Sequence, residues 1–296
     1  MWVDLEQPSE DEIRQITREF SISTRIEKEI LTPTPMPLVI ADTDATFLVL
    51  HFPAHGTKDG DTGSQELDFV VGSRYIVTAR YEVVAPLYHL KKLLETQGLV
   101  GGRDSVTTDV LLEVLFAHLY TSVRNHTNHI ASRLERIEKD MFDGQERMTV
   151  RSISNVSREF LHIKSTLANQ EEPLTRFLKT LADRNLFGIS FIERTNRVLA
   201  ERTQVARLVE AHRTVATDLR ETNASLLEVR QSEIMKTLTT VNFIFLPLGL
   251  ISWIFTMRTE GMPLVDSPYA FWIVLGIMLS VAILLLAFFI KRRWLF

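Results

Sequence analysis

Apolar and polar positions along this 296-residue chain follow three rhythms. Between residues 38 and 79 they gather in short runs rich in β-branched and aromatic residues. Leu38 to Phe52 and Leu67 to Ala79, with Asp42-Thr43-Asp44 and Gly72-Ser73 as turn signals inside them, predict about four short strands. Helical spacing takes over from Pro86, across 86–97, 106–142 and 148–183. Upstream, Ile13, Ile16, Phe20 and Ile22 predict a helix over 9–31, stopped by Pro33, Pro35 and Pro37. The third rhythm begins near Asn185, with apolar residues at Phe191, Val198, Val205, Leu208, Val215, Leu219, Leu226, Val229, Met235 and Leu238, three, four or seven apart except for the six from Val229 to Met235. No proline interrupts it before Pro247. Such a stripe packs in a coiled coil or bundle, and a single helix over 185–257 would be roughly 110 Å long at 1.5 Å per residue.

That stripe runs without a break into the first of two strongly apolar stretches, 237–257 and 270–290, joined by 258–269 and closed by Lys291-Arg292-Arg293. Each has about the 20 residues a helix needs to cross about 30 Å of hydrocarbon, which predicts a two-span hairpin. The first span places Asn242, Pro247, Gly249 and Ser252 where a lipid anchor would carry Leu, Ile and Val. Polar groups at that depth need a partner or water. Ser232, Met235, Leu238 or Thr239, Asn242, Leu246 and Gly249 fall three or four apart and share a helix face. Apolar rings separated by amide and hydroxyl rings can gate by dewetting and hold a hydrated cation between gates. The competing use of the same residues is close helix packing, which also favours Gly, Ser and Thr and lets Asn bond across helices. Two helices cannot enclose a pore, so the pore reading requires several copies of the chain.

Charge sharpens the picture. Of 33 basic and 37 acidic residues, residues 1–235 hold 28 and 35, a weakly acidic balance that argues against a nucleic-acid partner. Lys236 and Lys291-Arg292-Arg293 flank the spans on one side, whereas the connecting loop sets Arg258 against Glu260 and Asp266. The positive-inside rule therefore predicts both termini in the cytoplasm. The start, Met-Trp-Val-Asp-Leu-Glu-Gln-Pro, lacks the pattern of a signal peptide. The chain has no cysteine, hence no disulfide and no thiolate metal site.

Soluble-domain chemistry is sparse. His126 and His129 lie three apart on the helix predicted over 106–142, a spacing that chelates zinc when further ligands converge; no second pair is visible, and a solvated helix face is the simpler reading. His51 and His55 flank Pro53 and read as local hydrogen-bond partners. Asp59 and Asp61 in Gly56 to Gly63 suggest a calcium loop, yet Ser64 and Val70 stand where that loop needs Gly and Glu, which favours a hairpin connection. Nucleotide loops, nucleophile elbows and His-Glu-x-x-His helices are absent. Nothing points to an enzyme.

The stretch Arg230-Gln-Ser-Glu-Ile-Met-Lys-Thr-Leu-Thr-Thr-Val-Asn-Phe-Ile-Phe-Leu-Pro-Leu-Gly-Leu-Ile-Ser-Trp-Ile-Phe255, followed by Gly261-Met-Pro263, Pro268-Tyr-Ala-Phe-Trp272 and the terminal Lys-Arg-Arg-Trp-Leu-Phe, closely resembles the CorA family of metal ion transporters. The resemblance implies a funnel-shaped homopentamer in the inner membrane. Its subunit would have an α+β cytoplasmic domain (1–184, layered α/β/α), a stalk helix continuing into the first span (185–257), a periplasmic loop (258–269), a second span (270–290) and a basic cytoplasmic tail (291–296). It places Ser232, Met235, Leu238, Asn242, Leu246 and Gly249 along the pore and Thr256, Met257, Arg258 and Glu260 at its outer mouth. The expected partners are the chain's own copies, membrane lipid and the transported divalent cation, magnesium, zinc or cobalt, with no covalent cofactor. A non-conducting, membrane-tethered scaffold or sensor on the same fold is the alternative.

Two departures from the family pattern stand out. The Gly-Met-Asn signature at the outer end of the pore helix reads Thr256-Met257-Arg258 here. Five Arg258 side chains about 8 Å from an entering divalent ion would repel it by about 5 kcal/mol in water, or about 2 kcal/mol with physiological salt. A potential of about 100 mV supplies about 4.6 kcal/mol to that ion over the full crossing. Such a ring would therefore slow entry without forbidding it, and Arg258 turned toward headgroups or toward Glu260 would leave the Thr256 hydroxyls at the rim. Either way, magnesium selectivity does not carry over. Counting back along the helix, the acidic residue of the family's regulatory metal site falls at Arg197, a guanidinium that cannot ligate a cation.

Overall fold

A computed structural model describes residues 1–54, 63–100, 106–257 and 269–291. In chain order its elements are β1 (Trp2–Glu6), α1 (Glu10–Glu19), α2 (Thr24–Ile30), β2 (Leu38–Ala41), β3 (Thr46–Pro53), β4 (Ser64–Val71), β5 (Ile76–Arg80), α3 (Ala85–Val100), α4 (Thr108–Phe142), α5 (Glu146–Asp183), α6 (Ser190–Thr256) and α7 (Ala270–Lys291). The chain divides into two compact units, Met1–Glu221 and Thr222–Phe296.

In the first unit the strands form one five-stranded sheet in the order β1-β5-β4-β3-β2. All neighbours run antiparallel except β1 and β5. The sheet has one strand more than the sequence predicts: β2 to β5 are the four anticipated, and β1 is new. The predicted helix over 9–31 is also two helices. α1 starts at a reciprocal cap in which the Ser9 hydroxyl accepts from the Glu12 amide and the Glu12 carboxylate accepts from the Ser9 amide. It stops at Phe20, and Ser21 turns through a positive φ of 52° before α2 begins.

Strand alternation gives the sheet two covered faces. Phe47, Val49, Val70, Val77 and Ala79 point toward Ile13 of α1 and Ile26 and Ile30 of α2, and all are buried. Residues of the opposite parity meet the long helices: Phe69 stacks on Phe116 of α4 with ring centres 5.0 Å apart, and Phe52 lies 5.9 Å from Tyr120. The β4–β5 turn needs Gly72, because a Cβ there would stand 2.4 Å from the Tyr75 ring.

Charged pairs fasten residues 190–221 of α6 to α4 and α5. Arg124 pairs with Glu201, and Lys164 with Glu210 at 2.8 Å. The buried Arg202 donates to the Leu167 carbonyl at 2.6 Å and meets Glu171 at 3.0 Å. Along this part of α6 the predicted apolar stripe holds at Phe191, Val198 and Val205, then shifts. The buried positions become Val209 and Ala216, while Val215 is 45% exposed, and the predicted stripe is met again at Leu219. A seven-residue repeat drifts by about 20° per heptad on a straight α-helix, so the inward face moves to neighbouring residues.

Candidate functional site

The second unit holds the two apolar helical stretches, both long and apolar enough to cross a membrane. Within α6, Thr240 is completely buried, and Ile244, Pro247, Leu248, Ile251 and Phe255 are half-buried. α7 shows the matching pattern at Val274, Met278, Val281, Ala282 and Leu285, ending at the buried Phe289. Phe243 and Phe289 bring the two helices together with ring centres 6.4 Å apart. The spacing of three and four on both helices defines one covered face on each.

The predicted pore-lining residues lie on the other side of α6, whereas Pro247 falls on the covered face. At 100° per residue, Met235, Leu238, Leu246 and Gly249 fall within about 40° of Asn242, Ser232 lies about 80° away, and the covered face is centred roughly opposite. Met235, Leu238 and Leu246 are 54%, 53% and 71% exposed, and Ser232 and Asn242 are exposed as well. Gly249 is half-buried. Within one chain this face touches nothing that would hide its apolar side chains or its amide.

Threonine hydroxyl groups along the span are satisfied locally. Thr237, Thr239, Thr240 and Thr256 donate to the carbonyls of Glu233, Met235, Lys236 and Ser252, each four residues back. Asn242 is different: among the described residues its side chain makes no hydrogen bond. Pro247 has no amide hydrogen, so the Phe243 carbonyl lacks its usual helical donor. The Asn242 amide and apolar side chains thus alternate along a surface that one chain leaves open, whereas the Phe243 carbonyl lies on the Pro247 side, toward α7. At the outer end Met257 is exposed and its amide closes the helix on the Trp253 and Ile254 carbonyls. Arg258 and Glu260 lie outside the described residues, as do His55, Asp59 and Asp61.

The remaining candidates do not converge. His126 is half-buried and His129 exposed on α4, and no group of three or more His, Asp or Glu side chains able to hold a metal ion occurs among the described residues. His51 Nε2 faces Glu66 Oε2 at 3.6 Å. Arg197 belongs to an ion-pair cluster that the sequence did not reveal. Its Nε meets Glu113 Oε1 at 2.5 Å, while Arg194 reaches Glu113 at 2.6 Å and Asp109 at 2.9 Å. The Arg197 hydrogen bond, reinforced by Arg194 against partial burial, holds the Glu113 carboxyl below the usual range. The acids at 109 and 113 and the bases at 194 and 197 are each one helical turn apart, a complementarity legible in the sequence once α4 and α6 are known to be neighbours.

A sequence model described as CorA-like Mg2+ transporter protein matches residues 1–292. The cobalt/magnesium transport protein CorA of Methanocaldococcus jannaschii is 20% identical over 99% of this chain and 91% of its own length. The putative metal ion transporter YfjQ of Bacillus subtilis is 22% identical over 99% of this chain and 89% of its own. Among solved structures, the complete CorA magnesium transporter of M. jannaschii superposes with a TM-score of 0.82 at 20% identity, covering 99% of this chain and 91% of that one. At that identity the superposition establishes the fold: an N-terminal α/β region, a long helix and a C-terminal helix.

Proposed function

The chain belongs to the CorA-like Mg2+ transporter family, and from that premise we propose that it carries divalent metal cations across the inner membrane through a homopentameric pore walled by the second half of α6. The observation that supports this reading most strongly is the exposed face through Asn242, set opposite the face that packs on α7. Copies of the chain arranged around an axis would bury that face on water. Met235, Leu238 and Leu246 would then form apolar constrictions that dry out when narrow. Asn242 would offer its amide oxygen to the water shell of a cation between them. Ser232 and Gly249 extend the same wall toward its two ends. Lys236 and Lys291 to Arg293 keep both termini on the cytoplasmic side, so a potential of about 100 mV, negative inside, favours inward movement of a doubly charged ion by about 4.6 kcal/mol.

Flux into liposomes tests the proposal. Purified protein is expected to carry at least one of magnesium, cobalt, zinc and nickel well above the rate of empty vesicles. The replacement of the family signature by Thr256-Met257-Arg258 favours one second reading, a membrane-tethered scaffold or sensor. Flux equal to that of empty liposomes for every ion would establish that reading instead.

The outer mouth gives a separate prediction. A charge at the rim of a pore lies within about one Debye length, about 8 Å in physiological salt, of ions approaching along the axis. Arg258→Glu is therefore expected to raise divalent flux and Arg258→Asn to raise it less, with both differences shrinking in high salt. Flux unchanged in both variants would place the Arg258 side chain outside the ion path.

A further inference from the structure

Far from the membrane spans, two acidic side chains of β4 point into the layer between the sheet and α2. Glu66 and Asp68 are two residues apart on one strand and so share a face, and Val70, the next residue on that face, packs in the core with Ile26 and Ile30. Asp68 is completely buried, and its Oδ1 has no hydrogen-bond partner among the described residues. Its Oδ2 lies 3.1 Å from the Tyr81 hydroxyl, whose single hydrogen is also directed at the Ile30 carbonyl, 2.6 Å away at the end of α2. Glu66 accepts the Thr34 amide on both carboxylate oxygens, at 2.8 Å each. That one residue fastens the segment after α2 to the sheet.

The other titratable groups facing the pair are His51 on β3, 3.6 Å from Glu66, and Glu29 on α2, which adds a third acid. Burial first, and then the Glu66 charge, drive the Asp68 carboxyl well above the ordinary carboxylate range, and the two side chains are next neighbours on one face of β4. A hydrogen bond between two carboxyls requires a proton between them. Neighbouring carboxylates in a buried site cannot both ionise without strong repulsion.

We propose that Asp68 and Glu66 form a proton-operated latch holding residues 31–37 and the end of α2 against the sheet. With one proton between them the pair is an acid donating to a carboxylate, and Glu66 stays in place to accept Thr34. When that proton passes to water, two carboxylates face each other beside Glu29, Glu66 swings away, and the Thr34 amide loses its acceptor. The sign follows from the raised folded-state value. The stabilisation is full below the ordinary carboxyl range of the unfolded chain and is lost as pH rises through the folded-state value of Asp68.

Hydrogen exchange of the full-length protein in detergent micelles reads the latch directly, as the protection of the Thr34 amide relative to its intrinsic rate at each pH. In the unmodified chain, protection is expected to fall by about ten-fold or more as pH rises above the ordinary carboxyl range, a change equivalent to about 1.4 kcal/mol. Asp68→Asn places an amide donor where the proton sits and should keep Thr34 protected throughout. Glu66→Gln removes the opposing charge but keeps an acceptor, and should also flatten the profile, which secures the test if Asp68→Asn fails to fold. Protection independent of pH in the unmodified chain, or a fall of the same size in a folded variant, would overturn the latch.

Discussion

Replacing Asn242 with leucine is expected to abolish divalent flux, by about 100-fold or more, while leaving the oligomer intact. The two side chains are close in size, so the change removes an amide and little else. An unpartnered amide in an apolar medium costs roughly 2–7 kcal/mol, and among the described residues of the single chain this one is exposed and has no hydrogen-bond partner. Its place in the span is therefore sensible only if water or another subunit meets it. In Asn242→Leu, the new side chain would join those of Leu238 and Leu246 in an uninterrupted apolar wall about 12 Å long at 1.5 Å per residue, a length over which a narrow passage excludes water. Holding a hydrated ion without polar contacts along that wall adds at least the roughly 2.7 kcal/mol that a 100-fold loss represents. The competing role, a helix-to-helix hydrogen bond, predicts something else: the variant would lose oligomeric mass in size-exclusion chromatography. Flux at the unmodified rate removes Asn242 from the ion path.

The face bearing Asn242 was readable from sequence because hydropathy and a three-to-four spacing are local properties of one helix. What covers the opposite face was not. Thr240 is polar and would be assigned to solvent or pore, yet it is fully buried, with its hydroxyl satisfied by the Lys236 carbonyl. The stripe on α6 was legible at Phe191, Val198, Val205 and Leu219 and misleading at Val215, since a strict seven-residue reading ignores the helix's own drift. Strands β2 to β5 announced themselves through Val, Ile, Phe and Tyr. Glu66 and Asp68 lie on one face of β4, and only the packing of α2 over that face makes the two acids a buried pair. The cluster of Arg197 with Glu113 depends in the same way on two helices meeting across 84 residues of sequence.

Strand β1 was missed for a reason that carries its own test. Trp2-Val3-Asp4-Leu5-Glu6 alternates correctly, but its polar positions are acids, which argue for an exposed terminus until Arg80 is placed opposite them. β1 lies parallel to β5 with Asp4 beside Thr78 and Glu6 beside Arg80. Arg80 Nη2 meets Asp4 Oδ2 and Glu6 Oε2 at 2.9 Å each, Asp4 Oδ1 accepts the Thr78 hydroxyl at 2.8 Å, and the Trp2 indole donates to Thr78 at 3.0 Å. The Arg80 and Asp4 side chains are 1% and 2% exposed, whereas Glu6 is 43% exposed. Water can therefore replace the arginine at Glu6 but not at Asp4. Arg80→Met keeps the buried chain length and strands the Asp4 charge, and is expected to destabilise the first unit by about 3–5 kcal/mol. In thermal unfolding of the purified protein that is a drop of roughly 10 °C. Adding Asp4→Asn should restore most of the loss, because a neutral amide can still accept from Thr78 and leaves no unpaired charge. If β1 is instead held by backbone pairing and the Trp2 ring alone, the single variant will unfold within about 1 kcal/mol of the unmodified chain and the second substitution will recover nothing.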